Sequence, residues 1–212
     1  MCAEMLDRKN LIFDLGGVLL DITPDATLAA LKALGVGEKF LTDGFKLRNE
    51  MLHGLECGSV SPDEMYAALA ESMGVECTQE VRERIKAAWC AMLGEFAIEK
   101  LHCLRDLRNR GYRVFLLSNT NAIHWEVIEE KLTAAEGRMP ADYFDRVYLS
   151  FEMHACKPDT AIFEQLLAAE KIDASDAVFF DDSQENCNAA ASLGIATFVM
   201  ERNGRLPEWL ID

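Results

Sequence analysis

No stretch of the chain reaches the roughly 18 uninterrupted apolar residues that a membrane-spanning helix needs. The segment Met1-Cys2-Ala3-Glu4-Met5-Leu6-Asp7-Arg8-Lys9 has neither the apolar stretch nor the small-residue cleavage site of a signal peptide. Basic residues are scarce, with 21 Lys and Arg against 36 Asp and Glu and a net charge of −15. That excess repels nucleic acid and anionic membrane surfaces, so neither is an expected partner. It also means that an anionic ligand can be held only where a cation reverses the local sign. The seven cysteines are odd in number and contain no Cys-x-x-Cys pair. They read as reduced thiols, not as a disulfide framework or a zinc site, and the cytoplasm is the expected compartment. Internal repeats and low-complexity tracts are absent.

What is present suits an ordinary globular chain: half of the 212 residues are hydrophobic and 27% are charged. That length holds one good-sized domain, or a core with a small insertion. After a first apolar run ending at Asp14, residues 24–94 read as helices, predicted over Pro24 to Leu34, Glu38 to Leu52, Ser61 to Met73 and Gln79 to Met92. Ser61-Pro62-Asp63-Glu64 is a helix-start signal, with Ser as cap, Pro in the first turn and Glu three residues on. From Glu95 helix and strand alternate. Helices are predicted over Ile98 to Arg110, Ala122 to Ala135, Thr160 to Lys171 and Glu185 to Leu193. Strands are predicted over Tyr112 to Leu117, Arg146 to Leu149, Ala177 to Phe180 and Ala196 to Met200. This alternation implies an α/β fold, a Rossmann-like parallel sheet flanked by helices. The expected division is an α/β core of residues 1–21 and 95–212 with a small helical cap, 22–94, inserted after the first strand.

Four distant segments each place a polar residue where an apolar run or a loop stops, and in such sheets ligands bind beyond the carboxyl ends of the strands. In Leu11-Ile12-Phe13-Asp14-Leu15-Gly16-Gly17, the glycine pair also reads as a hairpin turn. That reading leaves Asp14 unexplained, because a carboxylate in so apolar a run is costly unless paired or metal-bound. Ser118-Asn119-Thr120-Asn121 is either a plain helix cap or a phosphate seat at a helix N-terminus. Lys157, before Pro158, is either a solvated lysine or a point charge for a phosphate oxygen. Asp181-Asp182-Ser183-Gln184-Glu185-Asn186 contains a possible capping box from Asp182 to Glu185. Capping needs one Asp, and two adjacent carboxylates with Asn186 suit a hard cation such as magnesium.

Together these residues, in this order, resemble the haloacid dehalogenase-like hydrolase superfamily along the whole chain, and most closely its sugar-1-phosphate phosphatase branch. The resemblance implies magnesium-dependent hydrolysis of a small phosphomonoester through an aspartyl phosphate on Asp14. It implies that Ser118, Asn119 and Lys157 hold and neutralise the transferring group. Magnesium would take the Asp14 carboxylate, the Gly16 backbone carbonyl and Asp182, with Asp181 and Asn186 in support. The implied ligand is a small phosphorylated metabolite, handled by a monomer or weak dimer. One departure stands out. The family motif carries a second Asp, the general acid, where this chain has Gly16, and loss of a positioned acid costs ~10²–10⁴ in rate. Substrates with acidic leaving groups, such as a sugar 1-phosphate, then suffer least; Asp21 and His53 are alternative proton sources. Arg48, Asn49, Glu50 and His53 are the cap residues within possible reach of the crevice. Two other readings remain. One is a non-catalytic domain that binds a phosphorylated ligand. The other is a 2-haloacid dehalogenase, whose motif normally carries Tyr at the Gly16 position and needs no metal. His102 is expected as a satisfied core or boundary residue, His154 and Cys156 at the entrance beside Lys157, and Trp89, Trp125 and Trp209 as packing anchors.

Overall fold

The structure is a computed structural model that describes residues 7–37 and 45–211, without the side chains of 45–49. Strand β1 (Asn10–Phe13) is buried at every position, as an unalternated apolar run must be when helices cover both faces of a sheet. It lies at the centre of a five-stranded sheet of order β5-β4-β1-β6-β7. The other strands are β4 (Arg113–Ser118), β5 (Arg146–Leu149), β6 (Ala177–Asp181) and β7 (Ala196–Val199), and all four pairings are parallel. Successive residues of a strand point to opposite faces. Leu11, Phe13, Val114, Leu116, Val178 and Phe180 therefore pack on one side, with Leu101 and Leu104 of α5 (Ile98–Asn109) and Ile128 and Leu132 of α6 (Ala122–Glu136). Ile12, Phe115, Leu117 and Phe179 pack on the other, against Ile162, Phe163 and Leu166 of α8 (Thr160–Glu170) and Cys187 and Ala190 of α9 (Gln184–Ser192).

Between β1 and β4 the chain forms a second layer with its own core. Strands β2 (Leu20–Ile22) and β3 (Leu93–Phe96) pair antiparallel as a short ribbon. The helices between them are α1 (Pro24–Ala33), α2 (Phe45–Glu56), α3 (Pro62–Ser72) and α4 (Gln79–Trp89), and Leu31, Leu55, Met65, Leu69, Ile85 and Trp89 pack among them. The α3 start is a full capping box: Ser61 Oγ accepts from Glu64 N at 3.3 Å and Ser61 N donates to Glu64 Oε2 at 2.8 Å. The predicted helix over Glu38 to Leu52 runs later, to Glu56, and its expected start lies outside the described residues. Gln79 to Met92 is α4 followed by a 3₁₀ turn, Cys90–Met92.

Three short elements carry too few residues for a periodic signal: the β2–β3 ribbon, α7 (Ser150–Met153) and α10 (Glu208–Ile211). The glycine pair makes a turn but not a hairpin on β1. Gly17 takes φ +81°, its N–H bonds the Leu20 carbonyl at 2.8 Å, and the chain then leaves for the ribbon. The thiol reading needs correction, because Cys57 at the end of α2 and Cys156 in the core form a disulfide with Cα atoms 5.7 Å apart. Their separation of 99 residues hides the pairing from any reading of spacing. Cys77, Cys90, Cys103 and Cys187 are free. His102 is half exposed and paired with Glu136 at 2.7 Å, not a core residue. No helix among the described residues is long and apolar enough to cross a membrane.

Candidate active site at the carboxyl end of the sheet

Asp14 sits one residue past β1, flanked by the two strands that pair with it. Its N–H bonds the Phe180 carbonyl at 2.8 Å, which fixes the backbone between β4 and β6 and leaves the side chain at the sheet's carboxyl edge. Lys157 reaches it from the loop before α8 and is almost fully buried, so it is no solvated lysine. Its Nζ donates to Asp14 Oδ1 at 2.6 Å, Asp181 Oδ2 at 2.8 Å and the Leu117 carbonyl at 2.9 Å. All three protons of the ammonium are engaged, a condition for keeping a charge inside a protein. Burial pulls the Lys157 pKa down, but Asp14 and Asp181 outweigh it and hold the group above an ordinary lysine. Burial also raises Asp14, with Lys157 lowering it and Asp181 raising it, to about 6.

Asp181, at the end of β6, is fully buried and saturated. Besides Lys157 it accepts from Ser183 N at 2.8 Å and from Asn186 Nδ2 at 3.1 Å on each oxygen. The capping reading of Asp182 gives way to Ser183, whose side chain accepts from Asn186 N at the start of α9. Asp182 is thereby released and pairs with Arg202. Gly17 makes room for it, since a Cβ there would lie 2.8 Å from Asp182 Oδ2. Oxygens of Asp14, Asp181 and Asp182 all lie within 4.8 Å of one another. Such a cluster of hard anionic donors fits a small divalent cation better than a soft metal.

At the end of β4 the cap of α6 is Asn121, which accepts from His124 N at 3.0 Å. The preceding residues are thus not used for capping. Ser118, Asn119 and Thr120 all line the same cavity, but the Asn119 side chain is already committed. Its Oδ1 accepts from Lys157 N at 2.9 Å and its Nδ2 donates to the Lys157 carbonyl at 2.8 Å. Asn119 therefore orients the lysine loop, with one amide hydrogen and its backbone left over for a ligand. Ser150 Oγ braces the loop further through Thr120 N at 3.0 Å and the Thr120 carbonyl at 3.1 Å.

A cavity of about 460 Å³ joins these groups: Asp14, Gly16, Ser118, Asn119, Lys157, Asp182 and Asn186 all line it, with Arg202. The helical insertion contributes a largely aliphatic part of the lining: Leu28, Leu31, Leu52, Met92 and Leu93, together with Trp89 and Glu56. Trp89 is not only a packing anchor. Its indole Nε1 is the one buried side-chain polar atom without a hydrogen-bond partner among the described residues. His124, stacked on Trp89 with centroids 5.7 Å apart, is driven by burial to about 4, with the Trp89 carbonyl raising it, and is neutral. Sequence reading missed Glu56 and Arg202 and took Trp89 for a packing anchor alone. Of the cap residues it named, Glu50 and His53 are exposed and absent from the lining, and the side chains of Arg48 and Asn49 lie outside the described set. Asp21 is half exposed, 3.9 Å from Lys100. His154 meets the Cys57 carbonyl at 3.4 Å and does not line the cavity.

Comparison with known proteins points the same way. The chain is 33% identical to D-ribitol-5-phosphate phosphatase of Bacteroides thetaiotaomicron, over 91% of this chain and 92% of that one. It is 27% identical to the sesquiterpene phosphatase astK of Aspergillus oryzae, over 88% and 87%. A HAD family enzyme of B. thetaiotaomicron, solved as its magnesium complex, superposes with a TM-score of 0.85 at 33% identity, covering 93% of this chain and 96% of that one. The model of the haloacid dehalogenase-like hydrolases matches residues 9–194, a span that runs from β1 past Asp14, Lys157 and the acidic pair to the end of α9. By fold and by sequence, this chain belongs to the haloacid dehalogenase-like hydrolases.

Proposed function

We propose that the protein is a magnesium-dependent phosphatase that hydrolyses a small phosphomonoester through an aspartyl phosphate on Asp14. The observation that carries this reading is the Asp14–Lys157–Asp181 cluster. A nucleophilic carboxylate is held by a buried ammonium beside a second acidic group, at the edge of a cavity with room for a ligand. The strongly acidic surface makes the point sharper, because the phosphate must be met by fixed positive charge. Lys157 supplies one such charge, and the backbone N–H groups at the head of α6 add partial ones.

The residues fit magnesium: Asp14, the Gly16 carbonyl and Asp182 would hold it, with Asp181 and Asn186 in support. When bound, the ion neutralises phosphate oxygens and makes phosphorus easier to attack. Asp14 attacks phosphorus as a nucleophile while Ser118 and Asn119 orient the transferring group. Lys157 stabilises the charge that gathers on the equatorial oxygens. Residues 1–21 and 95–212 then act as the catalytic core, and residues 22–94 as a cap that excludes water. A relative named for D-ribitol 5-phosphate supports a sugar or polyol phosphate. A sugar 1-phosphate is the member of that class whose leaving group depends least on an acid at Gly16. The reading takes the protein as a cytoplasmic monomer or weak dimer; in a reducing compartment the Cys57–Cys156 pair would stand as two thiols.

The test is a phosphomonoester panel with magnesium, run on the wild type and Asp14→Asn. Turnover is expected to fall by up to ~10⁶ on loss of the nucleophile and to stop in EDTA. Turnover that survives either change removes the mechanism, and magnesium-dependent phosphate binding without turnover leaves a binding domain.

A further inference from the structure

Gly16 has no proton to give, and the two replacements legible in the sequence do not reach the cavity. Asp21 is turned toward Lys100, and His53 is exposed beside Cys57, with ring nitrogens 3.6 and 3.7 Å from its Sγ. Three carboxyl groups line the cavity among the described residues: Asp14, Asp182 and Glu56. Asp14 is engaged by Lys157 and Asp182 by Arg202. Glu56 alone comes from the cap, and it lines the same cavity as Asp14 and Lys157.

We propose that Glu56 is the general acid and base of this enzyme, a cap residue that supplies what Gly16 lacks. The proposal rests on the aspartyl-phosphate reading above. As Asp14 bonds to phosphorus, the bond from phosphorus to the ester oxygen breaks, and that oxygen takes the Glu56 proton and leaves as the alcohol. A water oxygen then bonds to phosphorus and gives a proton back to Glu56. The acyl phosphate bond breaks toward Asp14, and inorganic phosphate leaves. Glu56 ends protonated and Asp14 ionised, as they began.

Two features suit Glu56 to this work. The end of α2 packs on the core beside the catalytic lysine: the Cα atoms of Cys57 and Cys156 lie 5.7 Å apart, and Cys156 adjoins Lys157. Gly58, with φ +71°, packs so closely that a Cβ would fall 2.2 Å from the Phe151 carbonyl. A residue one position before that anchor is held at a set distance from the sheet edge. Burial, opposed by Lys157 and reinforced by Asp14, raises its carboxyl to about 7, so it carries a proton near neutral pH and can take one back. Lys157 and Asp14 are the charges that act on it; Asp182, Arg202 and neutral His124 share the cavity lining, and His53 is on its own helix.

Glu56→Gln and Glu56→Asp are to be assayed with two phosphomonoesters that the wild type turns over, one alkyl and one aryl. For Glu56→Gln, the alkyl ester is expected to lose ~10²–10⁴ in kcat, and the pH profile its limb near 7. The aryl ester, whose leaving group needs no proton, is expected to give a burst of phenol of one equivalent per site, then slow turnover as the phosphoenzyme waits for a base. Glu56→Asp is expected to recover part of the alkyl rate, and melting curves report folding. Equal loss on both esters without a burst, or no loss on either, overturns the assignment of Glu56. Asp14→Asn is run alongside: if it stays active, the aspartyl-phosphate reading fails, whereas an inactive Asp14→Asn with an unimpaired Glu56→Gln sinks Glu56 alone.

Discussion

The two walls of the cavity solve the problem of burial in opposite ways. On the sheet side, polar groups are packed densely and paired: Lys157 makes three hydrogen bonds and Asp181 answers Lys157, Asn186 and the Ser183 backbone. On the cap side, aliphatic residues surround one carboxyl, Glu56, and one indole N–H that has no partner. Preorganised charge belongs where charge gathers in the transition state, here on the phosphate oxygens. A group that must give and regain a proton is better kept in a poorly solvated wall, where its two protonation states are close in free energy. The difference teaches that the floor is built to hold and the roof to exchange.

The largest expected effect breaks the floor. Lys157→Met leaves Asp14 and Asp181 facing each other without their cation, and breaking a buried pair in this way costs about 3–5 kcal/mol. Denaturant titration should show that loss; a change under 1 kcal/mol would mean that the floor's charges are not coupled. Next comes the joint between the two walls. Removing the Cys57–Cys156 bond in Cys57→Ser is expected to lower stability by about 2–4 kcal/mol. Reductant should bring the wild type down to the same value, and a wild type indifferent to reductant refutes the tether. The smallest effect tests the roof and has a definite sign. The folded carboxyl of Glu56 lies at about 7, above the ordinary 4.5, so the folded state binds the proton more tightly. Stability then falls as pH rises from about 4.5 through 7. Glu56→Gln should therefore be more stable than the wild type at pH 8, by ~1–3 kcal/mol, and level with it at pH 4. A gain that is the same at both pH values would show that Glu56 ionisation is not the cause.

Some of this was legible in the chain and some was not, for reasons visible in single residues. The run before Asp14 and the run before Asp181 announce buried strands because apolar residues fill every position, and the Ser61–Glu64 box marks a helix start with local atoms alone. Asp14, Ser118, Lys157 and Asp182 could be named because each stands at the end of such an element or in a familiar order. Asn119 was named from its position, but its clamp on the Lys157 backbone spans 38 residues and gives no local signal. Glu56 carries no signal at all. It is one acidic residue in an unremarkable helix, and only its neighbours across the cavity set it apart.

The sequence by itself determined the alternation of elements, the parallel sheet with its helical insertion, and the polar residues that end the central strands. Those depend on spacing and local chemistry, which a linear chain displays. The tertiary structure alone decided which carboxyl groups share the cavity, which cysteines meet, and which charges are paired. Those depend on distances between residues far apart in the chain, and on how much water burial leaves around each charge.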